Sequence, residues 1–173
     1  SYAGAVSLFI NNTLKISKFK KNITVYGYTE YKNKFKNKYI NVQTSKKLFQ
    51  SQNKDYVSKF IDIEKKENSN IIELHNRPIY LKYLVSELEN KNYILYFHND
   101  PLSMSGSKTI NERIFLLNNC YRIIFNSNWS KNRFLNKMKS DAINSEKLLV
   151  INQSATKNKI NFKSKKKIIT FVG

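Results

Sequence analysis

Four short apolar runs recur along the chain: IIEL at Ile71–Leu74, YILYF at Tyr93–Phe97, YRIIF at Tyr121–Phe125 and KLLVI at Lys147–Ile151. Runs of this length, rich in β-branched and aromatic residues, have the form of buried strands. Between them Leu81, Leu84, Val85 and Leu88 make one apolar stripe at helical spacing, and Ile110, Ile114 and Leu117 another. Strands separated by helices of about ten residues or more do not form hairpins; they lie parallel in one sheet, with the helices as crossovers.

The pattern extends upstream. Val6, Phe9, Ile10 and Leu14 predict a helix, Ile23–Tyr26 a strand, Lys38–Val42 a weaker strand, and Asp55–Lys66 an amphipathic helix with Val57, Phe60, Ile61 and Glu64 sorted onto opposing faces. Pro78 suits a helix start, and Ser127 or Asn128 caps a helix running to Lys139. The expected fold is α/β, a Rossmann-like parallel sheet with helices on both faces. Residues 1–152 make up this domain, the polar, lysine-rich stretch 153–167 reads as a linker, and residues 168–173 open a further strand. Ser1 to Ala5 has the form of a strand-to-helix turn without its strand. An empty central slot leaves backbone groups unpaired, so Ile168–Val172, or a strand from another copy, is expected to fill it.

Both histidines and both prolines fall in one repeated arrangement, IIELHNRP ending at Pro78 and YILYFHNDP ending at Pro101. Strand exits in open parallel sheets face the crevice where ligands bind. Imidazole, with an ordinary pKa near ~6.5, exchanges protons at neutral pH. His75 and His98 are therefore expected side by side at one rim, with general-base chemistry within their reach. They make a poor metal site, since they lie on separate strands and lack an acidic partner at helical spacing. Gly106-Ser107-Lys108-Thr109 lacks the glycine before lysine that a phosphate loop needs. Cys120, the single cysteine, sits among apolar residues and reads as a buried, inert thiol.

The 31 Lys and Arg against 12 Asp and Glu leave a formal charge of +19, which attracts polyanions. Most of that charge is lysine, spread with asparagine and isoleucine in the manner of a compositional bias. Clusters stand at 18–21, 32–38, 46–47 and 163–167, and Arg77, Arg113, Arg122 and Arg133 lie outside them. Arginine is the residue suited to bidentate phosphate and base recognition, so diffuse attraction to an anionic membrane surface fits better than sequence-specific nucleic-acid reading. No apolar run approaches the roughly twenty residues of a membrane span, and the start has no basic leader. The expected place is the cytoplasm, peripheral on the inner membrane face.

The stretch Ile71 to Leu135, with its two His-Asn-x-Pro exits and FNSNWSKNRFL, resembles envelope-polysaccharide glycosyltransferases of bacteria. The chain is similar to the amino-terminal, acceptor-side domain of a family 4 glycosyltransferase of the GT-B fold, in which two Rossmann-like halves face each other across a cleft. That resemblance implies transfer of a sugar from a nucleotide-sugar donor to a glycan or lipid-linked acceptor, without a metal or other cofactor. It implies His98 as the catalytic residue, and His75, Asn76, Arg77, Asn99 and Asp100 on the acceptor side. It also implies Gly4 and Ala5 in a loop approaching the donor phosphate, and Ser127 lining the cleft. Trp129 reads as packing rather than as a sugar platform. Asn152-Gln153-Ser154 stands where the family has Pro-Asn-Gly, and the residues that hold the donor diphosphate belong to the second domain, so this half alone is expected to be inactive. The contrasting expectation is a basic polyanion-binding or nucleic-acid-binding module without catalysis, its lysines aided by Tyr and Phe stacking.

Overall fold

A computed structural model describes residues 4–30, 38–44, 51–139 and 145–153. The linker expected beyond Gln153 and the strand expected at 168–172 lie outside the described residues, and so does any occupant they supply for the first-strand slot.

The described elements run α1 (Ala5–Ile16), β1 (Val25–Gly27), β2 (Tyr39–Asn41), α2 (Gln52–Glu67), β3 (Ile71–His75), α3 (Leu81–Glu87), β4 (Asn92–Phe97), α4 (Ile110–Asn119), β5 (Arg122–Phe125), α5 (Asn128–Leu135) and β6 (Leu148–Val150). Strands β3, β4, β5 and β6 form one parallel sheet in chain order, while β1 and β2 pair in a separate parallel sheet. In register, Leu74 lies beside Leu95, Leu95 beside Ile123, and Ile123 beside Leu148. One row of apolar side chains thus crosses the sheet on a single face.

Parallel strands added in one direction through right-handed crossovers carry their helices on the same face. Accordingly α2, α3, α4 and α5 cover the Leu74–Leu95–Ile123 face, where Val57, Phe60, Leu81, Leu84, Leu116 and Phe134 close the core. The rings of Phe97, Phe125 and Phe134 lie 5.3 to 5.8 Å apart at its centre. Helix α1 lies against the opposite face, where Phe9 meets Tyr96 at 5.1 Å. Helices therefore flank the parallel sheet on both sides. Phe60 belongs to the main core and also meets Tyr26 of β1 edge-on at 4.8 Å, so α2 serves both sheets.

Four details differ from the sequence reading. In α4 the buried side chains are Arg113 and Leu116, whereas Ile110 and Ile114 face solvent. The helix is phased to bring the Arg113 guanidinium to the carbonyls of Ser107, Lys108 and Asn136, which end turns and need donors. In α2 Glu64 lies on the core side at 1% exposure rather than on a solvated face, because Ser69, Tyr26 and Lys91 supply its partners. Helix α5 stops at Leu135, with Lys137 in the left-handed region at φ 62°, so it does not reach Lys139. Trp129 is 60% exposed and carries Arg133 over its ring, so it is not a packing residue. Cys120 is buried as expected, and burial pushes its thiol up to about 12.

Candidate functional site

The two His-Asn pairs stand at adjacent strand exits and are tied to each other. His75 ends β3 opposite Tyr96 of β4, and His98 follows two residues after Tyr96, so all three rings fall on the α1 face. Asn76 turns the chain at φ 53°, a conformation asparagine tolerates better than most residues. That turn lets its backbone N–H donate to the Tyr96 carbonyl at 2.9 Å and its side-chain Oδ1 accept from the His98 backbone N–H at 2.7 Å. Its Nδ2 donates to Asn99 Oδ1 at 3.2 Å. From the next strand exit, Asn126 Nδ2 donates to the His98 carbonyl at 2.8 Å.

The imidazoles form a directed chain of hydrogen bonds. Glu73 Oε1 lies 2.9 Å from His75 Nε2, His75 Nδ1 lies 2.9 Å from His98 Nε2, and His98 Nδ1 lies 2.7 Å from the Gln153 amide nitrogen. A carboxylate only accepts, so His75 carries a proton on Nε2, and in the neutral ring its Nδ1 accepts. His98 then donates from Nε2, and its Nδ1 accepts from Gln153. Every bond in the chain is satisfied with both rings neutral, and the donors all point from Gln153 toward Glu73.

The surroundings of His98 favour its neutral state. Tyr96 stacks on His98 at 4.3 Å and 9°, and Phe9 meets the same ring edge-on at 4.9 Å. Burial, with the neighbouring His75 adding to it against a smaller opposing pull from Glu73, lowers the His98 pKa to about 4. At neutral pH this ring is a hydrogen-bond acceptor at Nδ1 rather than a cation.

The remaining expected residues divide between this cluster and structural work. Asp100 accepts from Leu102 N–H and pairs with Arg133 at 2.9 Å, which holds its carboxyl below the usual range; it anchors α5 to the turn Pro101–Ser103. Ser127 caps α5 by accepting from the Ser130 N–H at 3.2 Å. Gly4 precedes α1 in an extended conformation with open space where a Cβ would stand, and Ala5 is the first residue of that helix. Arg77 lines a separate pocket of about 520 Å³, together with Tyr28, Glu30, Asn53, Tyr56 and Tyr80.

Glu73, Asn126, Gln153, Tyr96 and Phe9 complete the cluster and lie outside the residues expected there. Two of them left a signal. Glu73 is an acid two residues before His75 on the same strand face, and Asn126 repeats the asparagine that follows the strands at Asn76 and Asn99. The chain matches no family model, no curated protein and no solved structure.

Proposed function

We propose that this chain is the acceptor-binding half of a nucleotide-sugar-dependent glycosyltransferase of the GT-B, family 4 type, building an envelope polysaccharide or a lipid-linked glycan at the inner membrane face. The observation that carries the reading is the neutral His98 imidazole, with its one accepting nitrogen turned toward the exposed Gln153 at a strand-exit rim. An acceptor hydroxyl that replaces the Gln153 amide donates to that same atom.

Transfer then needs few further parts. As the hydroxyl oxygen bonds to the sugar's anomeric carbon, the bond to the nucleoside diphosphate breaks and its electron pair leaves with the phosphate. The hydroxyl proton passes to His98 Nδ1, the His98 Nε2 proton to His75, and the His75 Nε2 proton to Glu73, along bonds already formed. In this reading a second domain holds the donor diphosphate, and this half orients the acceptor and receives its proton.

The test is transfer of labelled sugar from a panel of nucleotide sugars to bacterial envelope fractions by the complete gene product. His98→Ala is expected to reduce transfer by about 100-fold or more, within the range of general-base losses. Transfer at the unaltered rate in that variant, or none from any donor with correctly folded protein, sinks the reading.

A further inference from the structure

The rim that carries the histidines continues through Arg77 into the 520 Å³ pocket, which opens between the exits of β1 and β3 and the first turns of α2. Its volume lies in the ~300–1,000 Å³ range of small-ligand sites. Arg77 Nη1 donates to the Asn76 carbonyl at 3.1 Å, and the guanidinium charge bears on the nearby Tyr80 hydroxyl. Tyr80 in turn donates to Asn53 Oδ1 at 3.2 Å and stacks with Tyr56 at 5.7 Å. Among the described residues no carboxylate pairs with Arg77. Glu30 lines the same pocket without pairing to it, and Glu30 instead accepts from the Tyr28 hydroxyl at 2.7 Å.

A positioned guanidinium with spare N–H donors, in ion-pair contact with no carboxylate among the described residues, is a fork for carboxylate or phosphate. The rest of the lining suits a sugar. Asn53, Gln52 and Glu30 present amide and carboxylate groups to hydroxyls, and the ring of Tyr56, stacked on Tyr80, adds aromatic surface of the kind that meets the C–H side of a pyranose. A neutral glycan uses the polar groups and leaves Arg77 idle; a bare anion uses Arg77 and leaves the rings idle.

We propose that this pocket takes an anionic saccharide, its carboxylate or phosphate forked by Arg77 and its ring laid against Tyr56. The inference rests on the acceptor-side reading above and names the acceptor's chemistry: the sugar unit next to the accepting hydroxyl carries an acid group.

The test titrates this chain with glucuronic acid, glucose 1-phosphate, methyl glucoside and inorganic phosphate, following backbone amide signals by NMR at fixed pH and salt. Both acidic sugars are expected to shift the signals of Tyr28, Asn53 and Arg77, and to bind at least tenfold more tightly than methyl glucoside or inorganic phosphate. The tighter of the two identifies the acid as uronic carboxylate or glycosyl phosphate. Arg77→Gln is expected to weaken both by tenfold or more, Arg77→Lys by less, and Arg122→Gln, remote from the pocket, not at all. Equal affinity for methyl glucoside, equal affinity for inorganic phosphate, or an unaffected Arg77→Gln overturns the proposal. Acidic-sugar binding without any transfer by the complete gene product keeps the pocket and removes the enzyme; transfer that proceeds unchanged in Arg77→Gln keeps the enzyme and removes the pocket.

Discussion

His75 Nδ1 and His98 Nε2 lie 2.9 Å apart although 23 residues separate them, because the parallel register of β3 and β4 sets Tyr96 opposite His75 and the next residue on that face is His98. The contact assigns protons as well as positions. His98 is expected to be the Nε2–H tautomer between pH 6 and 8, accepting at Nδ1 and donating toward His75, whose Nε2–H meets the Glu73 carboxylate. Ring-nitrogen NMR shifts measure this directly. A proton on His98 Nδ1 in that range contradicts the donor order, and Glu73→Leu is expected to release the His75 tautomer.

A low His98 pKa also makes stability depend on pH. The folded value of about 4 lies below the ordinary 6.5, so between those values the unfolded chain binds more protons at this site than the folded one. The His98 contribution is therefore fully present above about pH 6.5 and is lost as pH falls toward 4. The separation corresponds to no more than about 3 kcal/mol. Urea unfolding from pH 7.5 to 4.5 is expected to show declining stability, with a shallower decline in His98→Gln. An unchanged slope in that variant rules out His98 as the source.

The sheet was legible in the sequence because strand length and helical spacing are local properties. Ile71, Tyr93, Arg122 and Leu148 each begin or nearly begin the strand expected around them. The phase of α4 was not legible, since Ile110 and Ile114 outrank Arg113 on any hydrophobic scale. Arg113 is buried because three carbonyls from two distant turns converge on it. The site shows the same division. The His-Asn repeat pointed to one rim, whereas Gln153 enters from 55 residues beyond His98 and left no local mark.

Gly106 belongs to no phosphate loop; it packs the loop after Pro101 against the backbone of Pro78 and Ile79, and so joins the two His-Asn-x-Pro loops. Its φ is 92°, and a Cβ there would stand 2.5 Å from the Ile79 nitrogen and 2.6 Å from the Ile79 Cα. Both obstacles are backbone, which cannot swing aside as a side chain can, and the left-handed conformation is itself costly for alanine. Gly106→Ala is expected to cost about 2 kcal/mol or more, and to broaden the His75 and His98 ring signals as the loops separate. Unfolding midpoints equal to those of the unaltered protein refute the close packing.

The surplus of lysine makes a prediction that separates the two partner classes. From Gly4 to Thr29 the sequence has no acidic residue, and Lys15, Lys18 and Lys21 stand exposed beside Ile16 at 81% and Phe19 at 72% exposure. Near an anionic bilayer each lysine contributes on the order of 1 kcal/mol, and the attraction fades within a Debye length of ~8 Å at physiological salt. Phosphatidylglycerol vesicles are expected to bind the chain at low salt and to lose most of it by 0.5 M, while phosphatidylcholine vesicles bind little throughout. Apolar contact does not screen, so a residual fraction is expected to persist at high salt and to vanish in the Ile16→Ser, Phe19→Ser double variant. Single-stranded oligonucleotide is the competing polyanion, and its binding should fall steeply with salt because phosphate contacts act through released counterions. If the oligonucleotide displaces the chain from anionic vesicles at 0.15 M salt, the lysine surface belongs to nucleic acid and the membrane assignment falls.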